Sequence, residues 1–420
     1  MEITLFRAFV SRNYRLFVAG QSVSLIGTWM QRTAVYWVVY IETKSSFMLG
    51  VTMFCTQFPS FMFSLFGGVV SDRYNRYRVL ITTQIASLIQ ALLLALVVIF
   101  TRYSIWEILV LSAALGLINA FDVPARQALV YDMVDNKEHL SNAIAINSSM
   151  VNLARLTGPA LAGIVLAKWG AGTCFTLNAL SFVAVIFSLL LMRFTKPLSV
   201  THARKVLGEL KEGFVYLQKE RELALVILYL ASISLLVLPF NTLLPVFAKN
   251  IFKGDASTYG FLNSMIGLGA ITGTLFLASL KSSKRLKRIL LITTVIFGAG
   301  LILFSLASNF ALASFFAVVT GFGMMAQVTL SNTIVQTSVA EEMRGRAISY
   351  YAMAFFGLQP LGALMIGAVS SRIGAPHTLI AEGTAALAIC IVFTYLMGKD
   401  VWSKKNKLAP SLNGTKSGNG

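Results

Sequence analysis

The sequence predicts an all-α membrane protein of twelve transmembrane helices, arranged as two pseudo-symmetric six-helix bundles. Its composition, its recurrent apolar runs and an internal repeat each point there. Hydrophobic residues make up 56% of the 420 and charged residues only 12%, about half the charge of a soluble globule. Mean hydropathy is +0.73. Mostly apolar runs of 18 or more residues recur along nearly the whole chain, each long enough to cross a hydrocarbon core of ~30 Å as a helix. They are continuous rather than alternating, which selects helices over a barrel.

The spans fall at roughly 15–41, 47–70, 79–101, 105–129, 142–168, 172–193, 223–248, 257–280, 289–308, 311–336, 347–371 and 376–398. Arg7, Arg12 and Arg15 lead straight into a first span too long for the apolar core of a cleaved leader. With both termini on one side, the other side holds Lys44, Arg102, Lys168, Lys249, Lys253 and Arg372. Arg32 and Arg155 lie within spans, and the rest of the 35 Lys and Arg share the side of the termini. This positive-inside bias places both termini in the cytoplasm. The net charge of +18 thus orients the chain and gives no reason to expect nucleic acid.

The division expected is an N-terminal bundle over 1–193, a cytoplasmic linker over 194–222, a C-terminal bundle over 223–398 and a disordered tail over 399–420. Leu207, Leu210, Phe214 and Leu217 stand at helical spacing among charged residues in the linker, the pattern of an amphipathic surface helix. Gly158, Gly163, Gly170 and Ala171 recur 204 positions later as Gly362, Gly367, Gly374 and Ala375, and Leu80–Thr83 recurs as Leu291–Thr294. Two parallel halves of this kind are the plan of alternating-access carriers.

Several classes of chemistry are excluded. Cys55, Cys174 and Cys390 are isolated within apolar spans, and His139, His202 and His377 are far apart in loops. Neither a disulfide nor a metal site is expected. No phosphate loop is present, so no nucleotide cofactor is expected. No nucleophile–base set suggests an enzyme.

The polar residues that remain form three groups. The first is the segment Gly68-Val-Val-Ser-Asp72-Arg73-Tyr-Asn75-Arg76-Tyr-Arg78, wedged between two apolar runs. The second lines two spans. Ser24, Thr28, Arg32, Tyr36 and Tyr40 are spaced by four, with Trp29 at their border, and Asn152 and Arg155 share a face in the fifth span. Charge at such depth costs about 3 kcal/mol on insertion scales and marks a wet cavity by default. Asn241 in the seventh span, with Gln327 and Asn332 in the tenth, is polar but uncharged. Arginine keeps its proton, so the cavity expected is cationic on its N-terminal wall and suits a neutral or anionic amphipathic ligand. The third group is the acids. Asp122 stands four residues before Arg126, and Glu382 is the one acid within a C-terminal span. With Asp72 and Glu107 these are the candidates for a titrating group.

These motifs resemble the major facilitator superfamily over about residues 8–400. Gly68, Asp72, Arg73 and Arg76 match the family's loop between helices 2 and 3. Ala154-Arg155-Leu-Thr-Gly158-Pro159-Ala-Leu-Ala-Gly163 resembles its Gly-Pro antiporter motif. Asn119–Ala128 and Asn142–Ser148 resemble the subgroup that holds the enterobactin exporter and macrolide efflux proteins. Asn75 stands where the loop usually has Gly, a substitution that left-handed turn geometry tolerates, and Ser112 replaces a helix-4 Arg tied to proton transfer.

The resemblance implies a secondary exporter of a siderophore or drug by proton antiport. It would be a multi-pass protein of a bacterial inner membrane, working as a monomer with substrate, protons and lipid as its partners. It further implies a latch in which Asp72 meets the N-terminus of a C-half helix, where the dipole favours an anion. Arg76 would pair there with Asp122, for which a local Asp122–Arg126 pair is the competitor. The other readings are a lysophospholipid or lipid flippase of the same fold and a non-transporting membrane sensor.

Overall fold

The computed structural model describes residues 4–134, 136–194, 206–279 and 285–398. The expected tail over 399–420 and the linker's first part lie outside them. The N-terminal bundle contains α1 (Arg12–Thr43), α2 (Ser46–Arg73), α3 (Arg76–Phe100), α4 (Ile105–Met133) and α5 (Leu140–Leu190). A linker helix α6 (Val206–Lys219) leads into α7 (Arg221–Leu236) and the single turn α8 (Leu244–Val246). There follow α9 (Ala256–Ser279), α10 (Leu286–Leu306), α11 (Phe310–Ser338), α12 (Arg344–Ala352), α13 (Leu358–Ile373) and α14 (Ala375–Met397).

Among the described residues ten helices are long and apolar enough to cross a membrane. One of them, α5, runs 51 residues, or ~75 Å at 1.5 Å per residue, more than twice a hydrocarbon core. Gly170, at φ 80° and ψ 177°, folds it into two antiparallel arms. Counting both arms, and adding the 32-residue α1, gives twelve crossings. α1 is not among the ten because its polar stripe lowers its hydropathy, which already marks it as lining something other than lipid.

Local chemistry sets the ends. The Ser45 hydroxyl accepts from Met48 N, the Asn309 carboxamide accepts from Leu312 N, and Ser104 and Glu107 form a capping box, each occupying donors that the first helical turn leaves free. Asn75 corrects the sequence reading. Its φ is −61°, and its side chain accepts from Tyr77 N and Arg78 N as the cap of α3. It is there for its carboxamide rather than for left-handed geometry.

The halves repeat each other in three dimensions. Gly374, at φ 83° and ψ 156°, turns α13 into α14 as Gly170 turns the arms of α5; both conformations are open to glycine and strained for other residues. A Cβ on Gly158 would sit 2.5 Å from Trp29 of α1, and one on Gly362 would meet Leu235 of α7. A Cβ on Gly163 would sit 2.9 Å from Ala256 O of α9, and one on Gly367 lies 2.8 Å from Ser46 O of α2. Each half therefore offers the same small-residue surface to the equivalent helix of the other.

Those α5–α9 and α2–α13 contacts, with the Asn250–Tyr40 hydrogen bond and the Trp37–Tyr259 stack, join the bundles at midplane and on the side away from the termini. On the terminal side Gly68 has nothing near it. The ion pairs Arg76–Asp132, Arg126–Asp122 and Lys287–Glu222 each stay within one bundle.

Candidate functional site in the cleft between the bundles

A cavity of about 330 Å³ lies where the bundles meet, lined by Trp29, Arg32, Thr33 and Tyr36 of α1 and by Arg155 and Pro159 of α5. Met53 and Gln57 of α2 complete the N-terminal wall. Facing them are Asn241, Tyr259, Asn263, Met324, Met325 and the Phe355–Gln359 segment. Broken helices aim several of these. Pro239 enters just after α7 ends, and a tight 3-10 turn over Leu238–Leu243 presents Asn241 and Thr242 to the cavity. The span expected over 223–248 is present but changes helix type within it; proline removes a backbone donor, and the α-helix cannot run straight past it. A π-helical turn over Met353–Gly357 sets Phe355 and the more exposed Phe356 at the cavity's edge; such turns are frequent at functional sites.

The N-terminal wall centres on an indole held by two guanidinium groups. Arg32 lies 5.3 Å and Arg155 5.4 Å from the Trp29 ring centroid, within cation–π range. Among the described residues neither arginine forms an ion pair with an acid, and no acid lines the cavity. Arg155 Nη1 donates to Met325 Sδ at 3.6 Å across the bundle interface, and its Nε is buried with no partner. Asn241 Oδ1 and Gln57 Nε2 are also buried and unpartnered. The result is an amphipathic pocket with a cationic wall, an amide-and-aromatic wall and spare hydrogen-bonding capacity on both. Three thioethers, from Met53, Met324 and Met325, give its apolar part an adaptable surface.

Of the residues singled out in sequence, Trp29, Arg32, Tyr36, Arg155 and Asn241 line this cavity; Thr28, Asn152, Gln327 and Asn332 do not. The Thr28 hydroxyl donates back to Ser24 O, and Gln327 is wholly buried within its bundle. Asn332 accepts from Gln336 one turn on along α11. Gln57, Asn263 and Gln359 were missed, being single amides in apolar spans. Their only sequence signal is a carboxamide at membrane depth.

The Gly-Pro motif is the cavity's floor against α9. Pro159 lines the cavity, Gly158 lets α5 close on Trp29, and Gly163 stacks on Gly260. Ser264 Oγ donates to Leu156 O at 2.8 Å, tying the bent segment to the other bundle.

The latch loop differs from expectation. Arg76 pairs with Asp132 at 3.2 Å, not with Asp122. Helix α4 runs to Met133, so an acid beyond the expected end at 129 is helical and within reach. Asp122 instead takes its local partner: Arg126 Nε lies 3.4 Å away, and Thr83 Oγ1 and Gln84 Nε2 donate to it at 2.9 and 2.6 Å. Asp72 is half-buried, and Arg73 and Arg78 are exposed. The loop that the repeat sets opposite it, between α9 and α10, lies mostly outside the described residues. At the start of α12, Arg346 is held 2.6 Å from Glu212 of the linker helix and Phe214 packs beside Tyr350.

Two six-helix bundles around a midplane cavity define a transporter of the major facilitator fold. The chain belongs to the family described as transmembrane secretion effector, whose model matches residues 3–413. It is similar to the staphyloferrin A transporter of Staphylococcus aureus, with 26% identity over 92% of this chain and 96% of that one. It is 23% identical to macrolide efflux protein A of Streptococcus pyogenes over 89% and 93% of the two chains. To the enterobactin exporter of Escherichia coli O127:H6 it is 24% identical over 91% of each. A nucleoside transporter structure superposes with a TM-score of 0.75 at 13% identity, over 92% of this chain and 99% of that one. A D-xylose–proton symporter structure gives 0.71 at 12%, over 91% and 97%; at such identity these share the fold alone. The protein is a multi-pass membrane transporter and not an enzyme.

Proposed function

We propose that this transporter exports a neutral or anionic amphipathic small molecule, such as a siderophore or drug, by proton antiport across a bacterial inner membrane. The observation that carries the reading is the pair of acid-free arginines flanking Trp29. Their charge is permanent, so an organic cation meets repulsion in the cavity, while a carboxylate or catecholate gains charge-assisted hydrogen bonds and an aromatic surface to stack on. Relatives named for staphyloferrin A, enterobactin and macrolides support this range of cargo.

In this reading both termini are cytoplasmic, the bundles act as the two rocking units, and the structure is open to the cytoplasm. The contacts at Gly163–Gly260 and Gly50–Gly367 form the outer seal. Asp72, Arg73, Arg76 and Arg78 belong to an inner latch that engages when the cytoplasmic side closes, a bistable pairing of the kind that switches between states. The chain works as a monomer with substrate, protons and lipid as partners.

The test is counterflow in proteoliposomes with labelled enterobactin, staphyloferrin A and a macrolide, comparing the native protein with Arg155→Gln. Saturable exchange of at least one of these, weakened by the substitution, is expected. Better transport of quaternary ammonium dyes than of any of these would overturn the reading.

A further inference from the structure

We propose that Glu382 is the proton-carrying residue of this transporter and that its carboxyl is protonated in the conformation described here. The inference rests on the proton-antiport reading above and assigns the site that it requires.

Glu382 lies in α14, seven residues after Ala375 and so ~10 Å in from the end of the helix. The residue is 3% exposed, and both carboxyl oxygens are buried with no hydrogen-bond partner. Beside it the backbones of α14 and α10 meet at Gly383 and Gly298, where a Cβ on Gly383 would lie 2.6 Å from Gly298 O. On either side the two helices are tied by Ser305 Oγ donating to Pro376 O and Cys390 Sγ to Leu291 O.

The titratable and charged groups on the elements packed against α14 are placed elsewhere. Lys287 and Arg288 stand at the first turn of α10, with Lys287 on Glu222, and Arg221 and Glu222 open α7. The Tyr229 hydroxyl is taken up by Thr294. Arg372 ends α13, and His377 is exposed with its ring on Ile373 O. Among the described residues no ion pair reaches Glu382.

An ionised carboxylate in such a place pays full desolvation with nothing in return, whereas the neutral acid loses far less. Buried ionisable groups within a membrane are retained for ion movement by default. The chain offers one other acid deep in a span, and Asp122 makes the contrast. Its two oxygens hold Arg126, Thr83 and Gln84, three contacts of a kind that the Glu382 carboxyl does not make.

The step is a proton transfer with no other bond changed. Water from the compartment opposite the termini gives a proton to the Glu382 carboxylate, forming its O–H bond. The neutral acid crosses in the buried state, and the proton passes to water on the terminal side as the carboxylate re-forms. Coupling is then separated in space from the arginine cavity, which both bundles line, and the proton is carried within the C-terminal bundle alone.

The experiment compares native protein, Glu382→Gln and Asp122→Asn in proteoliposomes, using labelled enterobactin or staphyloferrin A in two assays. One is counterflow without a gradient, and the other is accumulation driven by a pH step of about one unit, worth roughly tenfold per proton. Glutamine keeps the neutral shape of the acid, so Glu382→Gln is expected to keep counterflow and lose the pH-driven accumulation. Asp122→Asn keeps the response to pH in proportion to its remaining activity.

If Glu382→Gln still accumulates substrate with the pH step, the proposal is wrong. If the native protein exchanges substrate but ignores the gradient, the antiport reading fails and takes this inference with it. A substrate-free readout separates the two questions. The infrared difference spectrum of native protein minus Glu382→Gln must contain a protonated-carboxyl band at neutral pH, and its absence overturns the assignment whatever the cargo.

Discussion

The two bundles share a backbone plan and divide the polar chemistry between them. The N-terminal bundle holds two arginines on the cavity wall, a satisfied buried acid at Asp122 and a charged loop with its own Arg76–Asp132 pair. The C-terminal bundle presents amides, thioethers and aromatic rings to the same cavity, and its one buried acid has no partner. Repetition of the scaffold therefore carries no repetition of function. Glycine positions are kept because they set how close two helices come, while side chains that face the cleft are free to specialise.

The largest expected effect comes from erasing the cationic wall. Arg155→Gln removes one charge-assisted contact, worth about 1.5–3 kcal/mol, so affinity for an anionic substrate should fall roughly 10- to 100-fold in equilibrium binding while a neutral macrolide loses less. Equal losses for both would show that the wall does not select by charge.

The proposed outer seal gives a conformational effect. Gly260→Leu places a side chain where a Cβ already meets Pro159 O, and the bundles must separate there. Cysteine labelling from the side away from the termini should rise at Tyr36, and unchanged labelling would mean that this contact is not the seal.

Asp122→Asn should act on stability. It weakens the bond to Arg126 and the carboxylate's hold on Thr83 and Gln84, at about 1–3 kcal/mol, read as a lower Tm in detergent. If stability is untouched and transport is lost, Asp122 belongs to the transport machinery after all. The smallest effect is expected at Glu212→Gln, which breaks the exposed pair with Arg346 and should change stability by about 0–1 kcal/mol.

Much of this architecture was legible because its signals are local or periodic. Gly170 and Gly374 announce two equivalent hairpins, and Arg32 and Arg155 stand out as charges within apolar runs. The cavity's opposite wall was harder to read. Which of Gln57, Asn263, Gln327 and Asn332 faces the cleft depends on how helices cross, and a carboxamide gives no charge signal to offset that ambiguity. Asp132 escaped because the helix end was placed one turn early, and a single turn decided which acid Arg76 meets. Whether Glu382 faces lipid or interior is invisible along the chain, since the rotation of α14 is set by Gly298 on another helix.

Alternation of the two bundles around this cavity can be read from one distance. Spin labels at Tyr74→Cys on the N-terminal loop and Gly345→Cys on α12, with Cys55, Cys174 and Cys390 replaced, should report two separations in nanodiscs. The longer belongs to the state described here, and the shorter should grow when Gly260→Leu opens the opposite side. A single separation, unmoved by that substitution or by enterobactin, would contradict alternating access in this protein.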